Sequence, residues 1–334
     1  MITTTPELID ALELRGLARA TGEEKDIVTA AERPWYIGLL LGTAGWFAGI
    51  FVLILAAILF SPKSGGAALV MGLLLIAAAW GIFRGDRDGA FLSQLGLAFS
   101  IAGQFAVLFG ANEMFFQGAR LTGFAITALV MQVALVFAMP NGLHRTMSTL
   151  FACIAWAMSV RYGVWDHYSF GPMAGREPQG VALFPALLGW LVVWVPVGYG
   201  LFLLVRREPR WMLRRRQELL RPVGAGLIVG LAFATLLSQP LDSFTSSFIE
   251  RGIRNNWLAL WPLLSALASL GALVAAFALG SRGLMALCVV AALLHASHFY
   301  YAMGTTLLVK ALTMLLLGAA LLGAADYLRN RSGR

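Results

Sequence analysis

Two histidines and a lysine near the C-terminus carry the most suggestive chemistry in this chain. In LLHASHFYYAMGTTLLVKALTM, His295 and His298 are three residues apart and share a helix face; Tyr300 and Tyr301 follow, then Lys310 inside an apolar run. Histidine titrates near neutrality, so His295, His298 and Lys310 have the chemistry of a proton relay. The same residues can equally form a hydrogen-bonded structural cluster, which is the reading we favour. A lysine at the middle of a lipid-embedded helix costs about 2.5 to 3.5 kcal/mol, so Lys310 is expected to face other helices and donate to a tyrosine, a carbonyl or an acid. A metal centre is not expected, because no further ligand accompanies the two histidines and HASH lacks the acid of an HExxH motif.

A second polar stretch, FLSQLGLAFSIAGQ, contains Ser93, Gln94, Ser100 and Gln104, with Ser93, Ser100 and Gln104 near one helical face. Amides in such a setting bond neighbouring helices for about 0.6 to 2 kcal/mol. Structural adhesion is preferred over a solute pathway. The third chemically distinct stretch, RREPRWMLRRRQELLR, holds Arg206, Arg207, Arg210, Arg214, Arg215, Arg216 and Arg221. With Trp211 and Met212 among them, these arginines suit contact with anionic lipid headgroups as well as the simpler task of fixing topology.

The elements that position these residues are set by composition. The chain of 334 residues is 59% hydrophobic and only 13% charged, with a mean hydropathy of +0.77, whereas soluble domains are about 25% charged. The bilayer is the expected solvent. A pI near 10.0 reflects basic residues collected beside apolar segments rather than on a soluble face, so nucleic acid is not an expected partner. Cys153 and Cys288 both fall in apolar runs and suggest packing rather than a disulfide framework. Residues 1–34 lack the basic start and short apolar core of a cleavable signal, and read as a cytosolic segment with a short helix begun by Thr5 and Pro6.

Apolar segments of spanning length recur from Trp35 onward: Trp35–Phe60, Ala67–Phe83, Ala90–Ala111, Leu121–Met139, Thr146–Val160, Val181–Val205, Val223–Leu241, Trp257–Gly280, Gly283–Tyr300 and Thr305–Ala325. The fold expected is all-α, a polytopic membrane domain of about ten transmembrane helices over residues 35–327. A basic cytosolic loop occupies 206–222 and a cytosolic tail 328–334. With both termini cytoplasmic, 18 of the 25 Lys and Arg residues lie inside and five outside, which is the asymmetry expected of an N-in, C-in protein. Gly45 with Gly49 and Gly226 with Gly230, each pair four residues apart, suggest close helix packing. Nothing in the sequence has the form of a phosphate-binding glycine loop, a nucleophile elbow or a catalytic carboxylate pair.

Several short stretches together resemble a known family. Pro34-Trp35-Tyr36 leading into LLLGTAGWF, the FLSQLGLAFSIAGQ stretch with Gln94, Gly103 and Gln104, and HFYYAMGTTLLVKALTMLLLG with Tyr300, Tyr301, Leu307 and Lys310 resemble the bacterial membrane-protein family called domain of unknown function 4401. The family's final lysine is often followed by serine, whereas Ala311 follows here. The resemblance implies a multi-span protein of unassigned activity acting with a small membrane-anchored companion of the type named for its GDYXXLXY motif. It supplies no catalytic residue and no cofactor. The function expected is therefore a structural or partner-binding module, multi-pass in the bacterial inner (plasma) membrane and not an enzyme. The alternative is a transporter of a small solute or ion using the polar residues of the third, ninth and tenth spans.

Overall fold

The structure, a computed structural model, describes residues 40, 43–45, 47–51, 54, 64–85, 90–116, 121–164, 183–208, 210, 216–235, 260–302 and 306–332. Among these every regular element is helical. The helices are α1 (Gly65–Gly85), α2 (Ala90–Ala111) continuing into a π-helical turn (Asn112–Phe116), α3 (Leu121–Ala138), α4 (Gly142–Val164), α5 (Leu183–Arg206), α6 (Gln217–Phe233), α7 (Leu260–Ala278), α8 (Arg282–Ala302) and α9 (Leu307–Ser332). Residues 40, 43–45, 47–51 and 54 are helical as well. Among the described residues five stretches, Gly65–Gly85, Phe91–Phe115, Leu187–Arg206, Trp261–Ala278 and Arg282–Tyr301, are long and apolar enough to cross a membrane. Their 18 to 25 residues extend about 27 to 38 Å, against about 30 Å of hydrocarbon. Thr122–Ala138 and Leu307–Leu316 are shorter apolar helices.

Boundaries differ from the sequence expectation where polar residues open a helix. The fifth segment starts at Gly142 rather than Thr146, because Asn141 caps it: its Oδ1 accepts the His144 backbone N–H at 2.9 Å. Likewise α6 begins at Gln217, which takes residues 217–222 out of the expected loop, and α9 continues to Ser332, into the expected tail. The N-terminal segment 1–34 and residues 165–180 and 242–256 lie outside the described residues.

The chain divides into two compact units, Met1–Tyr162 with Gly200–Leu227, and Gly163–Tyr199 with Ile228–Arg334. The first is organised by an antiparallel pair, α1 and α2, whose axes approach because small residues oppose one another every seven positions. Gly65 faces Gly110, and Gly72 faces Gly103; a Cβ on Gly72 would stand 2.6 Å from the Gly103 carbonyl oxygen. Further along, Ala79 is fully buried and Gly96 leaves room for the Phe83 ring. Removing the side chains lets backbone meet backbone, the main source of helix association where lipid offers no hydrophobic gain. Ala79, Phe83, Leu97, Leu135 and Met139 then form a buried cluster between α1, α2 and α3. Gly45 and Gly49 lie against Phe91 to Ala98 of α2, running parallel to it.

In the same unit α4 runs parallel to α6. Pro222 lacks an amide hydrogen, which leaves the Glu218 carbonyl without its usual helical donor. Arg145 of α4 donates its Nη1–H to that carbonyl at 2.8 Å, and Thr146 donates its hydroxyl to the Pro222 carbonyl at 3.2 Å. One turn further, a Cβ on Gly226 would stand 2.5 Å from the Thr149 Cβ, so only glycine admits this approach. In the second unit, α7 and α8 are joined at Gly280, which has φ +66°. The Ser281 N–H bonds the Ala276 carbonyl at 3.2 Å and the Gly280 N–H bonds Phe277 at 3.0 Å. These close the C-terminus of α7 in a left-handed turn that favours glycine.

Candidate functional site

The most extensive polar arrangement among the described residues is a chain of five side chains inside the first unit. Gln132 on α3 donates through Nε2 to Gln104 Oε1 on α2 at 2.7 Å, and Gln104 Nε2 donates to Ser100 Oγ, one turn earlier, at 3.0 Å. Ser100 Oγ lies 2.7 Å from Nε2 of His144, at the start of α4, and His144 Nδ1 lies 3.3 Å from Ser148 Oγ. All five residues are at most 5% exposed. The Phe83 ring meets the imidazole edge-on, with centroids 5.7 Å apart. The cap residue extends the network, since Asn141 Nδ2 donates to Ser93 Oγ at 3.3 Å.

The physical reason for this arrangement is that polar groups held in an apolar bundle find partners in one another. Of the stretch singled out in the sequence, Ser93, Ser100 and Gln104 all enter the network. Gln94, half-buried on the same helix, also makes an interaction. His144, Gln132 and Ser148 are the members that sequence reasoning passed over. An amide passes on a proton only by way of its imidic acid form, so Gln104 and Gln132 interrupt any proton path along the chain. Its bonds link α2, α3 and α4 to one another.

The C-terminal group lies in the second unit and separates into two parts. His295, buried on α8, approaches the Ala232 carbonyl with Nε2 at 2.8 Å, and Ser269 of α7 donates its hydroxyl to the same oxygen at 3.0 Å. Ala232 sits in the last turn of α6, where carbonyls run out of helical donors. Lys310 on α9 is half-buried, with Nζ 5.0 Å from the Tyr300 ring centroid, a cation–π distance. Tyr300 meets Tyr301 edge-on, with centroids 5.5 Å apart, and Tyr301 is exposed. His298 is half-buried and also has a partner. Lys310 shares its side of α9 with Met314, which packs against Phe299.

The basic residues Arg206, Arg207, Arg210, Arg216 and Arg221 are exposed, while Arg214 and Arg215 lie outside the described residues. The Arg206 guanidinium stands 6.0 Å from the Phe202 ring centroid. Partial burial raises the pKa of Glu208, and the charge of Arg221 acts in the opposite direction. Among the described residues no three His, Cys, Asp or Glu side chains are grouped to hold a metal ion. Cys153 and Cys288 are buried thiols.

Residues 34–331 match a sequence family described as a domain of unknown function (DUF4401). The chain belongs to this family. The DUF4401 match covers every described helix except the end of α9, so both polar groups lie within it. No curated protein matches the chain. No solved structure matches it.

Proposed function

We propose that this DUF4401 chain is a structural or partner-binding module of the bacterial inner membrane, crossing it about ten times with both termini on the cytoplasmic side. The observation that carries the reading is the use of the buried polar atoms: Gln104, Gln132, Ser100 and His144 bond α2, α3 and α4 to one another, and His295 and Ser269 bond α8 and α7 to α6. Side chains committed to holding helices together suit a scaffold better than a reaction centre. The directions of neighbouring helices support alternating crossings, with α1 antiparallel to α2 and α4 parallel to α6. Cysteine labelling at Arg176 and Arg214 is expected to find them on opposite sides of the membrane. Labelling of both from one side rejects the topology.

The partner in this reading is a small membrane-anchored companion protein. Crosslinking and purification from native membranes should recover a stoichiometric small membrane protein; recovery of the chain alone counts against partner binding. The arginines from Arg206 to Arg221 are assigned to anionic headgroups, each worth about 1 kcal/mol near such a surface. A peptide of residues 206–221 should lose well over tenfold in affinity for anionic vesicles when Arg214, Arg215 and Arg216 become Gln. Unchanged binding removes the lipid role and leaves topology as the arginines' task.

A further inference from the structure

The polar chain of the first unit has an unfilled end. Gln132 Oε1 is buried and has no hydrogen-bond partner among the described residues, although the rest of that amide is engaged. Its two amide hydrogen bonds run one way. Gln132 donates to Gln104 and Gln104 donates to Ser100, which leaves the Ser100 hydroxyl hydrogen free to point at His144 Nε2, 2.7 Å away. With that hydrogen donated there the nitrogen is bare, and the ring proton sits on Nδ1, facing Ser148 Oγ. Rotating both amides by half a turn exchanges the nitrogen and oxygen of each and reverses the two amide bonds, and passing the ring proton from Nδ1 to Nε2 reverses the last. Gln104 would then donate to Gln132, Ser100 to Gln104, and His144 would carry its proton on Nε2. In that state the free end of Gln132 is an amide NH₂ in place of a carbonyl oxygen.

We propose that these four side chains form a reversible polar switch, in which whatever meets the free end of the Gln132 amide sets the tautomer of the His144 imidazole on another helix. A hydrogen-bond donor at that position, such as a water or another hydroxyl, completes the observed direction and holds the proton on Nδ1. An acceptor there selects the reversed direction and moves the proton to Nε2. No net charge travels, because each amide rotates rather than ionising. The readout lies at the start of α4, the helix that grips α6 through Arg145 and Thr146, so the switch couples a buried position on α3 to the packing of α4.

The test is nitrogen-15 and carbon-13 NMR of His144 in the full-length protein in lipid. The wild type is expected to show neutral imidazole protonated on Nδ1. Gln132→Glu places an acceptor-only group at the head of the chain once infrared spectroscopy shows the introduced carboxyl ionised. The protonated and bare nitrogen signals should then exchange between Nδ1 and Nε2. Should that variant fail to fold, Gln132→Met, which is uncharged and close in size, releases Gln104 and is expected to replace a single tautomer by a mixture. Wild-type protein protonated on Nε2, or a tautomer population unchanged in whichever variants fold, overturns the proposal.

Discussion

Gly72→Leu is expected to lower stability by about 3 kcal/mol, at the upper end of the usual cost of forcing bulk into a packed site. The size of the effect follows from what the new atoms would meet. A Cβ at Gly72 would stand 2.6 Å from the Gly103 carbonyl oxygen and 2.7 Å from the Val107 nitrogen, both backbone atoms of α2 that no rotamer change can move. The helices must part, and separation there also opens the contacts of Gly65 with Gly110 and of Ala79 with its neighbours on the same side. Gly81 supplies the control, because a Cβ there would meet nothing within 4 Å. Gly81→Ala should remain within about 0.5 kcal/mol of wild type. Denaturant titration of the purified protein in micelles measures both. Equal stability of the two variants would show that α1 and α2 do not meet at this ladder.

The ladder shows what kind of information the sequence carries openly and what it hides. Apolar length alone gave the extents of several helices closely, as at Ala90–Ala111, since a long charge-free run leaves few choices. Small residues four apart drew attention to Gly45, Gly49 and Gly226, each of which does lie against a neighbouring helix. The repeats of seven, Gly65–Gly72–Ala79 and Gly96–Gly103–Gly110, were present in the same stretches. Their meaning depends on pairing two helices antiparallel, which one helix considered alone does not reveal. His144 was hidden for a related reason. Beside Pro140, Asn141 and Gly142 it reads as a turn residue, and Arg145 next to it draws the helix boundary toward Thr146. Asn141 three residues before His144 was the available signal, because a cap of that type bonds the backbone at this spacing. Once the helix starts at Gly142, the ring enters the interior and meets Ser100. Ser93, Ser100 and Gln104 were legible as one face from helical spacing, but their partners on α3 and α4 come from tertiary packing. The same holds for His295, whose partner is a backbone carbonyl and therefore leaves no mark in side-chain identity.

His144→Leu is expected to cost about 2 kcal/mol, although leucine nearly matches the ring in volume and suits the surroundings. The loss arises from the polar groups left behind. Ser100 Oγ loses the nitrogen at 2.7 Å and Ser148 loses the one at 3.3 Å, and both hydroxyls are buried where water does not replace the bond. A stranded buried hydroxyl costs about 1 to 3 kcal/mol. Removing the stranded group should recover part of that loss, so His144→Leu combined with Ser100→Ala is expected to be less destabilised than the two single changes added together. The coupling should be about 1 kcal/mol, within the range found for hydrogen bonds between membrane helices. Four unfolding titrations close the cycle. Strict additivity would mean that His144 and Ser100 do not act on each other, and the adhesive role of the chain would fall with that bond. Gln104→Leu extends the argument, because it breaks the chain on both sides at once, toward Gln132 and toward Ser100. It should therefore destabilise by at least as much as His144→Leu while leaving the cap at Asn141 and the grip of α4 on α6 intact.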